Sequence, residues 1–318
     1  MPAPRLLTAG EAFEDLVFVG LERLPAPGEE IKTDRFHATI GGGAVITAVG
    51  ASRLGIPTAI VSALGDGAAG RLTRERVRVT NLRRPGEPHA ITAALSTATE
   101  RTFVTFNGVN AALDGRLRRA LPAAAARATH VHLALCPADL GAWTRLVARL
   151  RRQGLTVSWD PGWNPPLAAD PALPGLVDAL DLVLLNELEA PLYAGTTALT
   201  DAYPRLRTER SNVVVKLGDQ GSRWLRADGD VMMPAPAVDA VDTTGAGDAF
   251  NAGFLAAWLR GAPPATCLAT GNSVGAASTL AAGGLDALPT ARQLPHLLRP
   301  AARPRRAARR PRPARRSS

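Results

Sequence analysis

Short apolar runs rich in Val, Leu and Ile alternate along the chain with stretches whose apolar residues recur at three and four. Arg5–Ala9, Thr58–Ala63, Thr129–Leu135, Leu155–Trp159, Asp181–Leu185 and Asn212–Leu217 predict strands. Ala44–Leu54, Ala68–Val77, Ala138–Arg152, Pro171–Ala179 and Thr200–Glu209 predict the helices between them. Strands that read as nearly continuous apolar runs are buried on both faces, as in a parallel sheet covered by helices. The expectation is an α/β fold: a three-layer α/β/α sandwich with a mainly parallel central sheet. Ligands of such sheets collect at the carboxyl ends of the strands.

Two stretches break this rhythm. Val17–Ile40 holds Leu-Pro-Ala-Pro-Gly and then a polar strand-like run, and His89–Asn110 alternates in the manner of a hairpin. Neither has the period of a crossover helix. Segments of about 11–40 and 86–112 are therefore expected to form a small β lid on the domain spanning 1–298. A lid excludes water and completes a site on closing; the plain alternative is surface decoration.

The most informative run is Asp242-Thr243-Thr244-Gly245-Ala246-Gly247-Asp248-Ala249-Phe250. Helical spacing begins after Gly247 and stops at Gly261 and Pro263-Pro264, so the small residues sit at a helix start. Unpaired N–H groups and the positive end of the helix dipole favour an anion there. Asp248 falls in the first turn. A carboxylate beside an anion site suits a base that takes a proton from a hydroxyl attacking a phosphoryl group. It also suits plain stabilisation of the helix by an acid near its start.

This run resembles the C-terminal signature of the ribokinase-like (PfkB) family of carbohydrate kinases. Other stretches agree in order: Gly41-Gly42-Gly43-Ala44 with Arg53-Leu54-Gly55, Gly65-Asp66, Asn186-Glu187-Leu188-Glu189, and Lys216-Leu217-Gly218-Asp219-Gln220-Gly221. The resemblance covers about residues 5–298. It implies a ribokinase-like sandwich that phosphorylates a hydroxyl of a sugar or sugar-like acceptor with ATP and Mg2+. By the resemblance Asp248 is the catalytic base, and the N–H groups of Gly245, Ala246 and Gly247 form the anion hole. Asn186 and Glu189 orient the triphosphate and Mg2+, with Glu189 acting on the metal through water. Lys216, Gly218 and Gly221 border the nucleotide, and Asn272, in a small-residue helix over 265–282, lies near the adenine. Asp242 and Thr244 mark a site for a monovalent cation such as K+. On the residues alone, Asn186 and Glu189 read equally as a helix cap and its neighbour.

At the sugar end the resemblance assigns Asp15, Gly41, Gly42 and position 46 to the acceptor. Ile46 stands where the family usually has an Asn that binds a sugar hydroxyl. Either the acceptor has no hydroxyl there or another side chain serves it. The glutamate that some members place after the strand ending near Leu135 is also missing, and Cys136-Pro137 stands there instead. A nucleoside kinase of the same family and a non-catalytic ligand-binding member are the alternative functions.

Charge changes this picture little. The net charge of +9 includes eight arginines within residues 301–318, which leaves 9 − 8 = +1 for residues 1–300. The body is nearly neutral, and 299–318 reads as a disordered Arg/Pro-rich tail, which argues against nucleic acid as the main partner. No apolar run is long enough to cross a membrane and no leader is evident, so a cytoplasmic protein is expected. Cys136 and Cys267 are expected to be two buried, reduced thiols. The resemblance also implies a homodimer formed through the lid.

Overall fold

The computed structural model describes residues 5–97, 101–207, 212–281 and 283–298. The expectation for the Arg-rich tail lies outside them. Among the described residues the strands are β1 (Leu6–Gly10), β2 (Phe13–Phe18), β3 (Phe36–Gly41), β4 (Thr58–Ser62), β5 (Arg78–Asn81), β6 (Ile91–Ser96) and β7 (Arg101–Phe106). They continue with β8 (His130–Ala134), β9 (Thr156–Asp160), β10 (Leu182–Asn186), β11 (Asn212–Lys216), β12 (Ser222–Leu225) and β13 (Val231–Met233). Helices α1 (Gly43–Arg53), α2 (Asp66–Arg74), α3 (Leu113–Ala124) and α4 (Leu140–Arg152) belong to the first half. After them come α5 (Pro165–Ala168), α6 (Leu173–Ala179), α7 (Glu189–Ala194), α8 (Leu199–Leu206), α9 (Ala246–Trp258), α10 (Pro264–Ser278) and α11 (Leu294–Leu297).

Nine strands form the central sheet in the order β13-β12-β11-β10-β9-β8-β1-β4-β5. All neighbours from β11 to β5 are parallel, and β12 and β13 add an antiparallel edge. Alternate residues of each strand feed two cores. Leu7, Val131, Val157 and Val183 face the side of α3, α4 and α6, while Leu6, Ile60, Leu184 and Val214 face α1, α9 and α10. That is the expected three-layer α/β/α sandwich. The chain runs outward from β1 to β4 and β5, then returns to β8 on the other side of β1 and continues outward. The sheet order therefore reverses between β1 and β8, where a crevice opens beyond the strand ends.

β2, β3, β6 and β7 make a separate four-stranded sheet in the order β3-β2-β6-β7. It is inserted between β1 and α1 and between β5 and α3, so both insertions rise near the ends of the strands that bound the crevice. One of its faces carries Phe36, Val104 and Phe106, exposed by 55%, 64% and 54%.

Some elements depart from expectation. α3 was not foreseen, although Leu113, Leu117 and Leu121 recur every four residues and are buried; the arginines between them and Pro122 obscure the stripe. α10 ends at Ser278 rather than continuing to 282. Its next residue turns away, with the Thr279 carbonyl accepting the N–H groups of Val241 and Asp242 at 2.7 and 3.0 Å. Cys136 is exposed rather than buried because it lies past the end of β8, and its thiol donates to the Pro161 carbonyl at 2.8 Å. No helix among the described residues is long and apolar enough to cross a membrane.

Candidate active site

Two helix starts, α1 and α9, meet above the carboxyl ends of β1, β8 and β9. Their loops are glycine-rich because side chains would collide there. A Cβ on Gly43 would lie 2.8 Å from Asp248 Oδ1, and one on Gly41 would lie 2.0 Å from Asp15 Oδ2. The glycines thus let two carboxylates rest against the backbone that leads into α1. Gly42, between them, has φ 101° and is the residue before that helix.

Around α9 the loop folds back on itself. Gly245 is left-handed, at φ 72°, and the Ala246 N–H donates to the Thr243 carbonyl at 3.2 Å. Among the described residues the N–H groups of Gly245, Gly247 and Asp248 make no such bond. The open donors at this helix start are therefore those of Gly245, Gly247 and Asp248. Ile46 is buried, with Cδ1 directed at the loop: a Cβ on Gly245 would come within 2.5 Å of it and one on Gly284 within 3.0 Å. The side chain supports the loop backbone, and this packing is what stands in the place of the family's Asn. Asp242 ties the loop to the next segment, accepting the Thr244 N–H at 2.7 Å and the Gly283 N–H at 2.9 Å.

Behind the loop lies a buried polar cluster, two members of which the sequence did not disclose. Lys216, the last residue of β11, places Nζ 2.7 Å from Asp160 Oδ2, and Asn251 Nδ2 donates to the same oxygen at 2.6 Å. A Cβ on Gly247 would be 3.3 Å from Lys216 Nζ, so the ammonium sits beside the open N–H donors. Burial works against the Lys216 charge, but Asp160, Glu189 and Asp248 outweigh it and hold its pKa above the ordinary value. Burial likewise opposes the Asp160 charge, and Lys216 and Asn251 prevail, holding its pKa below the ordinary value. Asp248 makes no hydrogen bond to Lys216 and is compensated less. Burial first, and then the charges of Asp160 and Glu189, push its pKa up to about 7 against the pull of Lys216.

The signals for the missed pair were slight. Asp160 is a lone acid ending an apolar strand, and Asn251 is a lone amide three residues after Asp248 in an apolar helix. Deeper still, His132 donates to or accepts from Ser158 Oγ at 2.8 Å. Burial holds its pKa down at about 4, so it is neutral beside Asp160.

Asn186 and Glu189 cap α7 reciprocally. Asn186 Oδ1 accepts the N–H groups of Leu188 and Glu189 at 2.9 and 2.8 Å, and Glu189 Oε2 accepts the Asn186 N–H at 2.8 Å. The second oxygen of Glu189 makes no hydrogen bond among the described residues. Burial raises the Glu189 pKa, Asp160 adds to this and Lys216 opposes it. The capping geometry therefore fixes a carboxylate with one oxygen to spare near the Lys216–Asp160 pair.

Next to this cluster opens a cleft of about 540 Å3, lined by Lys216, Gly218, Gly221, Gly247, Asn272 and the apolar segment 235–238. Gly221 is at φ 102°, and a Cβ there would strike the Met233 carbonyl at 2.0 Å, which keeps the two ends of the cleft wall together. Asn272 donates to the carbonyls of Met233 and Pro234 at 2.9 and 3.1 Å and so ties α10 to the same segment. The cleft leads to the open N–H donors and the Lys216 ammonium, a donor set that suits the phosphates of a nucleotide. Asp15, Gly41, Gly42 and Asp248 lie on the other side of the same loops. Thus one side of the centre offers anion donors and the other offers carboxylates.

Comparison with known proteins agrees with this arrangement. The sequence pattern described as pfkB family carbohydrate kinase matches residues 4–291. The chain is similar to an ATP-dependent ribose-1-phosphate kinase of Halopiger xanaduensis, 31% identical over 90% of this chain and 95% of that one. It is similar to a fructokinase of Klebsiella pneumoniae, 32% identical over 78% of this chain and 88% of the relative. Among solved structures it resembles the ribokinase of Arabidopsis thaliana complexed with ribose and ATP. That likeness has a TM-score of 0.75 and 25% identity, covering 95% of this chain and all of the other.

Proposed function

The chain belongs to the pfkB family of carbohydrate kinases, and we propose that in it ATP phosphorylates a hydroxyl of a sugar or sugar-like acceptor with Asp248 as the base. The observation that carries this reading is the placement of Asp248. It is a half-buried carboxylate with a pKa of about 7, set between an anion-binding loop and a glycine-lined recess that holds a second carboxylate. At neutral pH such a group can accept a proton and later release it. Asp248 takes the proton of the acceptor hydroxyl as its oxygen attacks the γ-phosphorus. The N–H groups of Gly245, Gly247 and Asp248, with Lys216 Nζ, meet the negative charge on the transferring group. Asp160 and Asn251 hold Lys216 in that position. The acceptor-dependent release of ADP over a panel of sugars and nucleosides tests the reading.

Mg2+ is part of the proposal, and the free oxygen of Glu189 fits a hard cation that keeps most of its waters. When bound, Mg2+ would neutralise charge on the triphosphate. Glu189→Gln should raise the Mg2+ concentration for half-maximal rate several-fold and leave the acceptor KM within twofold. An unchanged Mg2+ dependence would take Glu189 out of the metal's surroundings. A monovalent cation such as K+ beside Asp242 and Thr244 also belongs to the proposal; Asp242, tied to the anion loop by the Thr244 N–H, gives such a cation a route to act on it.

The four-stranded sheet serves as the lid, with segments 11–40 and 86–112 closing over the acceptor. Its exposed apolar face, with Phe36, Val104 and Phe106, supports a homodimer formed through that sheet. The free thiols of Cys136 and Cys267 accord with a cytoplasmic place of action. The alternative acceptor is a nucleoside, and the same panel tests it.

A further inference from the structure

On the α2 side the four-stranded sheet and the body of the domain are held apart. A cavity of about 380 Å3 lies between them, lined by Phe13, Thr39 and Ile40 of the sheet and by Gly65, Ala68 and Arg71 of the body. Arg71 reaches across. One guanidinium nitrogen donates to Thr39 Oγ1 at 3.1 Å, and the other donates to Asp286 Oδ1 at 2.7 Å. Asp286 Oδ2 in turn lies 3.2 Å from Nε2 of His37, two residues before Thr39 on β3. Thr39 stands opposite Asp15 in the β2–β3 ladder, so Arg71 holds the sheet at its acceptor end.

Asp286 belongs to a short segment that touches both sides of the centre. Gly283 backs onto β3: a Cβ there would lie 3.3 Å from Thr39 Cγ2 and 3.4 Å from His37 Cδ2. Its neighbour Gly284 backs onto the anion loop, where a Cβ would lie 3.0 Å from the Thr244 carbonyl oxygen and 3.5 Å from Gly245 Cα. The Asp242 carboxylate accepts the Gly283 N–H at 2.9 Å, and Arg53 of α1 donates to the Leu285 and Leu288 carbonyls, each at 2.9 Å. The segment is thus anchored to the anion loop and to α1. A displacement of β3 at Thr39 therefore bears on the backbone that carries the Gly245 N–H.

We propose that segment 283–286, clasped to β3 by Arg71 and Asp286, couples the position of the lid to the anion loop, so that a nucleotide at the loop draws the lid inward. Arg71 and Asp286 are then positioning residues, since they act through β3 and the loop. The inference rests on the kinase reading of this centre, with the four-stranded sheet as its lid. A ligand moves such an equilibrium only through contacts that differ between the two states. Here those are the contacts of Arg71 with Thr39, made with β3 against the body and lost when β3 swings away. Coupling of this kind is reciprocal, so an acceptor that closes the lid tightens the nucleotide by the same factor. Stability alone gives little reason for the clasp. The Arg71 and Asp286 side chains are 26% and 40% exposed, and ion pairs so open to solvent add little to a fold.

The experiment is amide hydrogen exchange with and without the non-hydrolysable ATP analogue adenylyl imidodiphosphate and Mg2+. It compares the wild-type chain with Arg71→Ala, Asp286→Asn and the double variant; Asp286→Asn keeps the shape of its side chain and so spares the fold. In the wild type the analogue should slow exchange in segments 216–221 and 243–250, which border its cleft, and also in 36–41 of the lid by about fivefold or more. Each variant should keep the protection of the cleft and lose that of 36–41. The double variant should match the single ones, because the two residues form one link. A purely structural role for the pair would leave the response of 36–41 to nucleotide in place. Protection of 36–41 that persists in the variants overturns the proposal, as does a wild type protected at the cleft but not at 36–41; either result leaves the kinase reading intact. A wild type protected at neither place removes both.

Discussion

Replacing Asp248 by Asn should lower kcat by about 10²–10⁴-fold, the usual loss when a general base is removed. The affinity for ATP should change little, since the N–H groups of Gly245, Gly247 and residue 248 and the Lys216 ammonium remain. The wild-type rate should fall as pH drops below about 7, because protonated Asp248 cannot accept the hydroxyl proton. Asp160→Asn should move that acid limb to lower pH, since it removes a negative neighbour and leaves Lys216 to favour the ionised base. Stability follows the same pKa with a definite sign. A folded-state pKa raised above the ordinary 3.8 means that the folded chain holds the proton more tightly than the unfolded one. The stability this contributes is full at low pH and is lost as pH rises through about 7. Asp248→Asn, which carries no charge to bury, should therefore be at least as stable as wild type at pH 8. Thermal melts at pH 6 and 8 with parallel rate profiles check both parts. A variant that merely unfolds, or that turns over at the wild-type rate, contradicts them.

The second large effect is expected at Lys216. Lys216→Met leaves Asp160 buried with only the Asn251 amide for a partner, and stranding a buried charge typically costs about 3–5 kcal/mol. The double variant Lys216→Met, Asp160→Asn removes the unpaired charge and should recover most of that stability. Activity should behave differently. Loss of a cation beside the transferring group typically costs about 10²–10³-fold in kcat, and the double variant should not recover it. Denaturant melts and kinetics on the two single variants and the double decide the matter. If the double is as unstable as Lys216→Met, the pair is not what stabilises this region; if it regains activity, Lys216 does not act on the phosphoryl group.

The sequence disclosed most of what local pattern controls. β1, β4, β8, β9, β10 and β11 are short runs with apolar residues at most positions or at alternate ones, and each lies within a residue or so of its expected place because burial on both faces leaves little room for charged residues. The helix start at Gly245–Asp248 was legible for a similar reason: glycines, an acid and the following apolar spacing all fall within one local run. Asp160 was not legible, since its meaning comes from Lys216 and Asn251, which lie 56 and 91 residues away in sequence. The commitment of the Ala246 N–H to Thr243 depends on the left-handed turn at Gly245, and composition does not reveal which donors such a turn leaves open. Ile46 shows the limit from the other side. Its departure from the family was visible at once, but its contact with the backbone of Gly245 and Gly284 required the packing of α1 against α9.

Phosphorus NMR of a reaction with ATP, Mg2+ and the best acceptor tests the central claim most directly, with wild type and Asp248→Asn compared side by side. Wild type should yield ADP and a sugar phosphomonoester in equal amounts, while Asp248→Asn shows nucleotide binding but only a trace of the ester. ADP and inorganic phosphate without ester, or equal ester from both proteins, would contradict a kinase that uses Asp248 as its base.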